Sequence, residues 1–230
     1  MAATPDPSAI EHPCVLAVEG THESHFFEAL LEQHDMQALP PVDVQSIGGK
    51  TRLAERLHAL ASEPSWVGFY DEGRSLSLGI VRDADADPRG AFQSVGGALG
   101  ANGFPVPDAP GTPMRGDLTC PDGLVIQEVT VAVFVLPGPD RPGALEDLCV
   151  ESVCGVEAFA CVEGMFECLE DHALALPEPH RMGKARAHAY LAVQPEPDGH
   201  VGIAARRGYW PFGSPVFDPL KDFLRVWAMR

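Results

Sequence analysis

Cys14 to Val18 is an unbroken apolar run closed by Glu19-Gly20. So short a run predicts a strand buried on both faces, the kind found in parallel sheets. From Ser24 to His34, apolar residues at 26, 27, 30 and 31 keep helical spacing. Val42 to Ile47 predicts a second strand, ended by Gly48-Gly49. Thr51 to Ala61 follows with Leu53, Leu57 and Leu60 at helical intervals. Leu76 to Val81 predicts a third strand that runs straight into Arg82-Asp83-Ala84-Asp85-Ala86-Asp87. Pro88 suits the first turn of a helix reaching about Gly100.

Strand and helix therefore alternate three times, the pattern of an α/β fold with a parallel sheet flanked by helices. Further on, residues 103–123 are rich in Gly, Pro and Asp and read as a long loop or hairpin insertion. Leu124 to Thr130 reads as an edge strand and the β-branched run Val131 to Leu136 as a fourth core strand. Helices are expected over 144–154, 156–176, 184–193 and 219–229. The expected division is a loose tail over 1–12, a core over 13–155, and a helical, aromatic C-terminal extension over 156–230 packed on that core.

The 230 residues are enough to bury a substantial core. No apolar run reaches the roughly 18–20 residues that a membrane-spanning helix needs. The N-terminus lacks the basic-then-apolar order of a signal peptide, so a cytoplasmic setting is expected, with no membrane partner. The formal net charge of -17 argues against non-specific DNA binding by the bulk surface. Six cysteines form no C-x-x-C pair. Cys154, Cys161 and Cys168 recur every seven residues, one face of a helix; buried core thiols are the favoured reading, ahead of a zinc site.

Acidic residues gather where strands end, which is where open parallel sheets bind ligands. Glu19 ends the first strand, and Glu23 lies four residues on, at helical spacing. Asp83, Asp85 and Asp87 follow the third strand; in an extended segment residues two apart point the same way, roughly 6.5–7 Å apart. Glu146 and Asp147 follow the fourth. If the first and third strands are neighbours, Glu19 and Asp83 meet at one edge. Two unscreened like charges 4 Å apart repel by about 4 kcal/mol at an effective dielectric near 20. All-oxygen ligation of Mg²⁺ or Mn²⁺ would relieve that. Capping or solvation remains the reading for any one of these acids alone.

The order Val18-Glu19-Gly20, Gly48-Gly49, Asp83-Ala84-Asp85 resembles the Toprim domain of topoisomerases, primases and OLD (overcoming lysogenization defect) family nucleases, over about residues 13–155. Glu23 matches the OLD-type variant of the first motif. The resemblance implies Glu19, Glu23, Asp83, Asp85, Asp87 and Glu146 as metal ligands, and Glu19, Asp83, Asp85 and Lys184 as catalytic residues. It also implies a metal-dependent nuclease acting on DNA or RNA. The alternative is a non-catalytic Toprim module partnering an ATPase or another subunit; self-association stays open. Departures are clear: there is no ATPase domain and no topoisomerase tyrosine domain.

Gly48-Gly49-Lys50-Thr51 looks like the tail of a phosphate loop, but Val44 stands where its first glycine belongs. A tight turn into a helix is the better account, with Lys50 and Arg52 near any phosphate at its start. Lys184, Arg186, Arg206 and Arg207 are the other basic candidates. His22 and His25 flank Glu23 and read as solvated or capping.

Overall fold

A computed structural model describes residues 10–197 and 199–229. Five strands, β1 (Cys14–Val18), β2 (Val42–Ser46), β3 (Ser77–Asp83), β4 (Met114–Thr119) and β5 (Val125–Leu136), form one sheet in the order β2-β1-β3-β5-β4. All pairings are parallel except β4 with β5. The arrangement is a Rossmann-like α/β fold.

Alternate side chains of each central strand feed two separate cores. Val15, Ala17, Leu78 and Ile80 face one side, covered by α2 (Leu53–Ala61), α3 (Pro64–Asp71) and α4 (Pro88–Ala101). Leu16, Val18, Val81 and Phe134 face the other. That side is covered by α1 (Thr21–Leu31), α5 (Leu145–Ser152), α6 (Glu157–Asp171), α7 (Met182–Ala192), α8 (Val201–Arg206) and α9 (Asp218–Ala228). Burial on both faces explains why β1 and residues 131–136 of β5 are apolar without alternation. Trp227 of α9 lies directly over the sheet at Gly79: a Cβ there would stand 2.9 Å from the indole and from Leu16 Cδ1.

Several elements differ from the sequence reading. Residues 1–9 lie outside the described residues, but the expected tail does not extend to 12. The N–H groups of Glu11 and His12 each donate to Asp43 Oδ2 at 2.7 Å. The expected edge strand and fourth core strand are one continuous strand, β5; the true edge is β4, which pairs antiparallel with β5 as a hairpin inside the segment read as a long loop or hairpin insertion. The Gly, Pro and Asp of that segment mask a strand that pairs on one side only. Helices α3 and α8 went unseen because each is too short to show a period. Cys154, Cys161 and Cys168 are exposed, not core thiols. The apolar face that α6 turns inward is Phe159, Val162 and Phe166.

No helix among the described residues is long and apolar enough to cross a membrane.

Candidate functional site

Because β1 and β3 are parallel neighbours, with Ala17 beside Ile80, Glu19 and Asp83 emerge at the same edge of the sheet. Two turns build the wall above it. Gly48 and Gly49, at φ +79° and +104°, reverse the chain after β2, a conformation glycine adopts without penalty. There the Gly49 N–H donates to the Glu19 carbonyl at 2.9 Å. Lys50 is thereby aimed across the edge, where its ammonium pairs with Asp85. Asp85 itself sits at φ +50° and exchanges two backbone hydrogen bonds with Gly143, at 2.8 and 2.7 Å. Beyond Asp83, the last residue of β3, the segment to Asp87 is thus a turn, not an extended run. Asp87 is turned to α4, where Oδ1 accepts the Gly90 N–H at 2.8 Å.

Helix α5 closes the other side. Its Leu145 N–H donates to Asp83 Oδ1 at 3.2 Å, and Glu146 follows, 7% exposed. Asp147 accepts the Ala144 N–H at 2.8 Å, capping the same helix. The first turn of α7 packs against Asp147 through Gly183, where any Cβ would overlap the carboxylate. That contact places Lys184 Nζ 3.5 Å from Glu146 Oε1. The result is a cleft of ≈ 590 Å³ lined by Asp83, Asp85, Glu146, Lys50 and Lys184, with Asp147, His180 and Arg181.

The electrostatics centre on Asp83. Burial among protein atoms pushes its carboxyl well above the usual range, and the charges of Glu146, Glu19 and Glu23 push it further. The Leu145 N–H opposes the shift. Glu19 is also raised, by burial first, although Arg82 and Lys50 pull it down. Its ion pair with Arg82 spans 3.4 Å. Asp147 is raised by its burial.

The family model described as "Protein of unknown function (DUF3226)" matches residues 13–227. The chain belongs to the DUF3226 family. That match takes in α6 to α9 as well as the sheet. No curated protein and no solved structure matches the chain.

Within this DUF3226 chain the structure brings Asp83, Asp85, Glu146 and Lys184 to one cleft. Glu19 and Glu23 stand outside its lining but within electrostatic reach of Asp83. Glu23 folds back over Gly20, where a Cβ would lie 2.8 Å from its Oε2. Asp87 does not join them. Arg82, His180 and Arg181 carry no motif and were not foreseen; Lys50 was, but as a phosphate contact and not as the partner of Asp85. His22, expected to be solvated or capping, is exposed and stacks on His200 with ring centroids 3.8 Å apart.

Among the described residues no three Asp, Glu, His or Cys side chains are grouped to hold a metal ion. The reason is visible in the ion pairs: Glu19, Asp85 and Glu146 are each turned to a cation, Arg82, Lys50 and Lys184. The donors nonetheless suit a hard divalent ion in chemical type, being all carboxylates. Asp83 is held among three like charges and has no cationic partner of its own among the described residues.

Proposed function

We propose that this chain is a divalent-metal-dependent phosphodiesterase of Toprim type, a nuclease using Mg²⁺ or Mn²⁺ and set in the cytoplasm. The observation that carries the reading is Asp83: a carboxyl enclosed at the carboxyl edge of a parallel sheet, with Glu146, Glu19 and Glu23 all raising its pKa. Such a group is costly to ionise unless a cation joins it. Adjacent parallel strands ending in Glu19 and Asp83 support the Toprim resemblance. Six free cysteines fit a reducing compartment.

Asp83, Glu146 and Asp85 would hold the ions, with Glu19 and Glu23 completing the set. The chemistry such ions supply is polarisation of a phosphate oxygen and acidification of a water. Glu19, its proton affinity already raised, is suited to take a proton from the attacking water. Lys184, freed from Glu146, would meet negative charge building on the phosphate. Arg181 forms no ion pair among the described residues and lines the cleft, where its fork of donors would meet a substrate phosphate. A cleft of ≈ 590 Å³ falls in the range of small-ligand sites and fits a nucleotide or a single strand better than a duplex.

The test is hydrolysis of DNA, RNA and small phosphodiesters with Mg²⁺ or Mn²⁺, by wild type and Asp83→Ala. Cleavage should vanish in the variant while the circular dichroism spectrum is kept. Equal cleavage by both preparations sinks the reading.

A second reading has its own support. The three carboxylates already satisfied by Arg82, Lys50 and Lys184 suit a Toprim module without catalysis, partnering an ATPase or another subunit. It predicts no hydrolysis with any metal and no stabilisation by Mn²⁺.

A further inference from the structure

The sequence spaced three cysteines for a core that the structure does not give them. Successive helical residues advance about 100°, so Phe159, Val162 and Phe166 form the face α6 buries. Ala158, Cys161, Met165 and Cys168 form a second stripe beside it, at intervals of three, four and three. All four are exposed. Met165 is 45% exposed, and the stripe continues past both helix ends into Val156 and Leu174, at 39% and 55%. The spacing is that of the seam of a helix pair, where side chains of one helix enter the gaps of another. The outer border of the stripe is acidic: Glu157, Glu167 and Asp171 are exposed, and α6 holds no Lys or Arg. Arg186 meets α6 on its inner side, paired with Glu163 and stacked over Phe166.

From this geometry we infer that the outer stripe of α6 docks an amphipathic helix of a partner protein, aliphatic along its seam and rich in Lys or Arg beside it. The commitment to a basic partner comes from charge. A second copy of this chain would set Glu157, Glu167 and Asp171 against the same acids, between two molecules of formal charge -17. A basic helix meets those carboxylates with opposite charge, which speeds encounter and fixes orientation. The apolar stripe supplies the affinity, as the seam of a helix pair does. The surface is made by α6 and its two flanking residues and does not depend on the metal reading.

The experiment uses the full chain and two synthetic helical peptides with leucine at the seam positions, one flanked by lysines and one by glutamates. Maleimide labelling of Cys161 and Cys168 is followed by mass spectrometry. The lysine-flanked peptide should slow both at least about tenfold, a coupling of roughly 1.4 kcal/mol. The glutamate-flanked peptide should not protect, and Met165→Glu should abolish protection without changing the melting curve. Unchanged labelling with the lysine-flanked peptide overturns the inference. So does equal protection by both peptides, or protection that survives Met165→Glu. A dimer in sedimentation that Met165→Glu dissolves would make the occupant a second copy and also overturn it.

Discussion

Lys184 reaches Glu146 across the mouth of the cleft that Asp83 lines, Nζ to Oε1 at 3.5 Å. The two residues differ sharply in setting: the Lys184 side chain is 63% exposed and that of Glu146 10%. The buried partner is fixed by α5, and the exposed one is free to leave. Under the proposed function, an incoming cation would take over Glu146 while Lys184 turns to a substrate phosphate. Their roles should separate on substitution. Lys184→Met is expected to remove hydrolysis but keep stabilisation by Mn²⁺. Glu146→Gln should lose both. Thermal melting with and without Mn²⁺, beside a turnover assay, checks the pair; identical behaviour of the two variants would remove the distinction.

Metal binding should appear as stability. At about 100 times its dissociation constant, an ion that binds only the folded chain adds roughly 2.7 kcal/mol. Wild type should show a rise of this order in Mn²⁺, and Asp83→Asn should show none. A wild-type melting curve indifferent to Mn²⁺ and Mg²⁺ would favour the non-catalytic module.

The pH dependence follows from Asp83. Its native pKa is raised above the ordinary Asp value, so between the two values the folded chain holds a proton that the unfolded chain has lost. Stability then falls as pH rises through that window, and it is fully recovered below the ordinary value. In metal-free buffer the urea midpoint of wild type should decline as pH climbs above the usual carboxylate range. Asp83→Asn should be more stable than wild type at neutral pH and flatter across the window. A variant that keeps the full wild-type slope would assign the effect to other groups. Glu19 and Asp147 are raised in the same sense and leave a smaller residual slope.

Lys50 and Asp85 form an ion pair with both side chains 50% exposed. Such pairs contribute about 0–1 kcal/mol. Lys50→Met should leave the midpoint nearly unchanged yet tighten Mn²⁺ binding, by releasing Asp85. Weaker binding would instead place Lys50 as a positioning residue for the site.

Gly79 is needed for packing, because Trp227 and Leu16 close over it. Gly79→Ala is expected to destabilise by about 1–3 kcal/mol through overpacking. Trp227→Ala should cost more, roughly 3–5 kcal/mol. Urea denaturation of both decides; a neutral Gly79→Ala would mean that α9 slides without cost.

The amino-acid sequence by itself determined the alternation of β1, α1, β2, α2, β3 and α4, because doubly buried strands and amphipathic helices leave local periodic signatures. It also placed Glu19 and Asp83 where strands end and Glu146 after the fourth strand, because each follows an apolar run closely in the chain. Tertiary structure decided the rest. Parallel pairing of β1 with β3 brought Glu19 to the edge where Asp83 emerges, across a chain separation no local pattern can encode. The long-range bridge between Asp85 and Gly143 bent the Asp-rich segment, while capping of α4 withdrew Asp87. Of the three evenly spaced cysteines only Cys161 and Cys168 lie on α6, on one face; only packing could say whether that face turns inward, and Phe159, Val162 and Phe166 bury more apolar area and took the core.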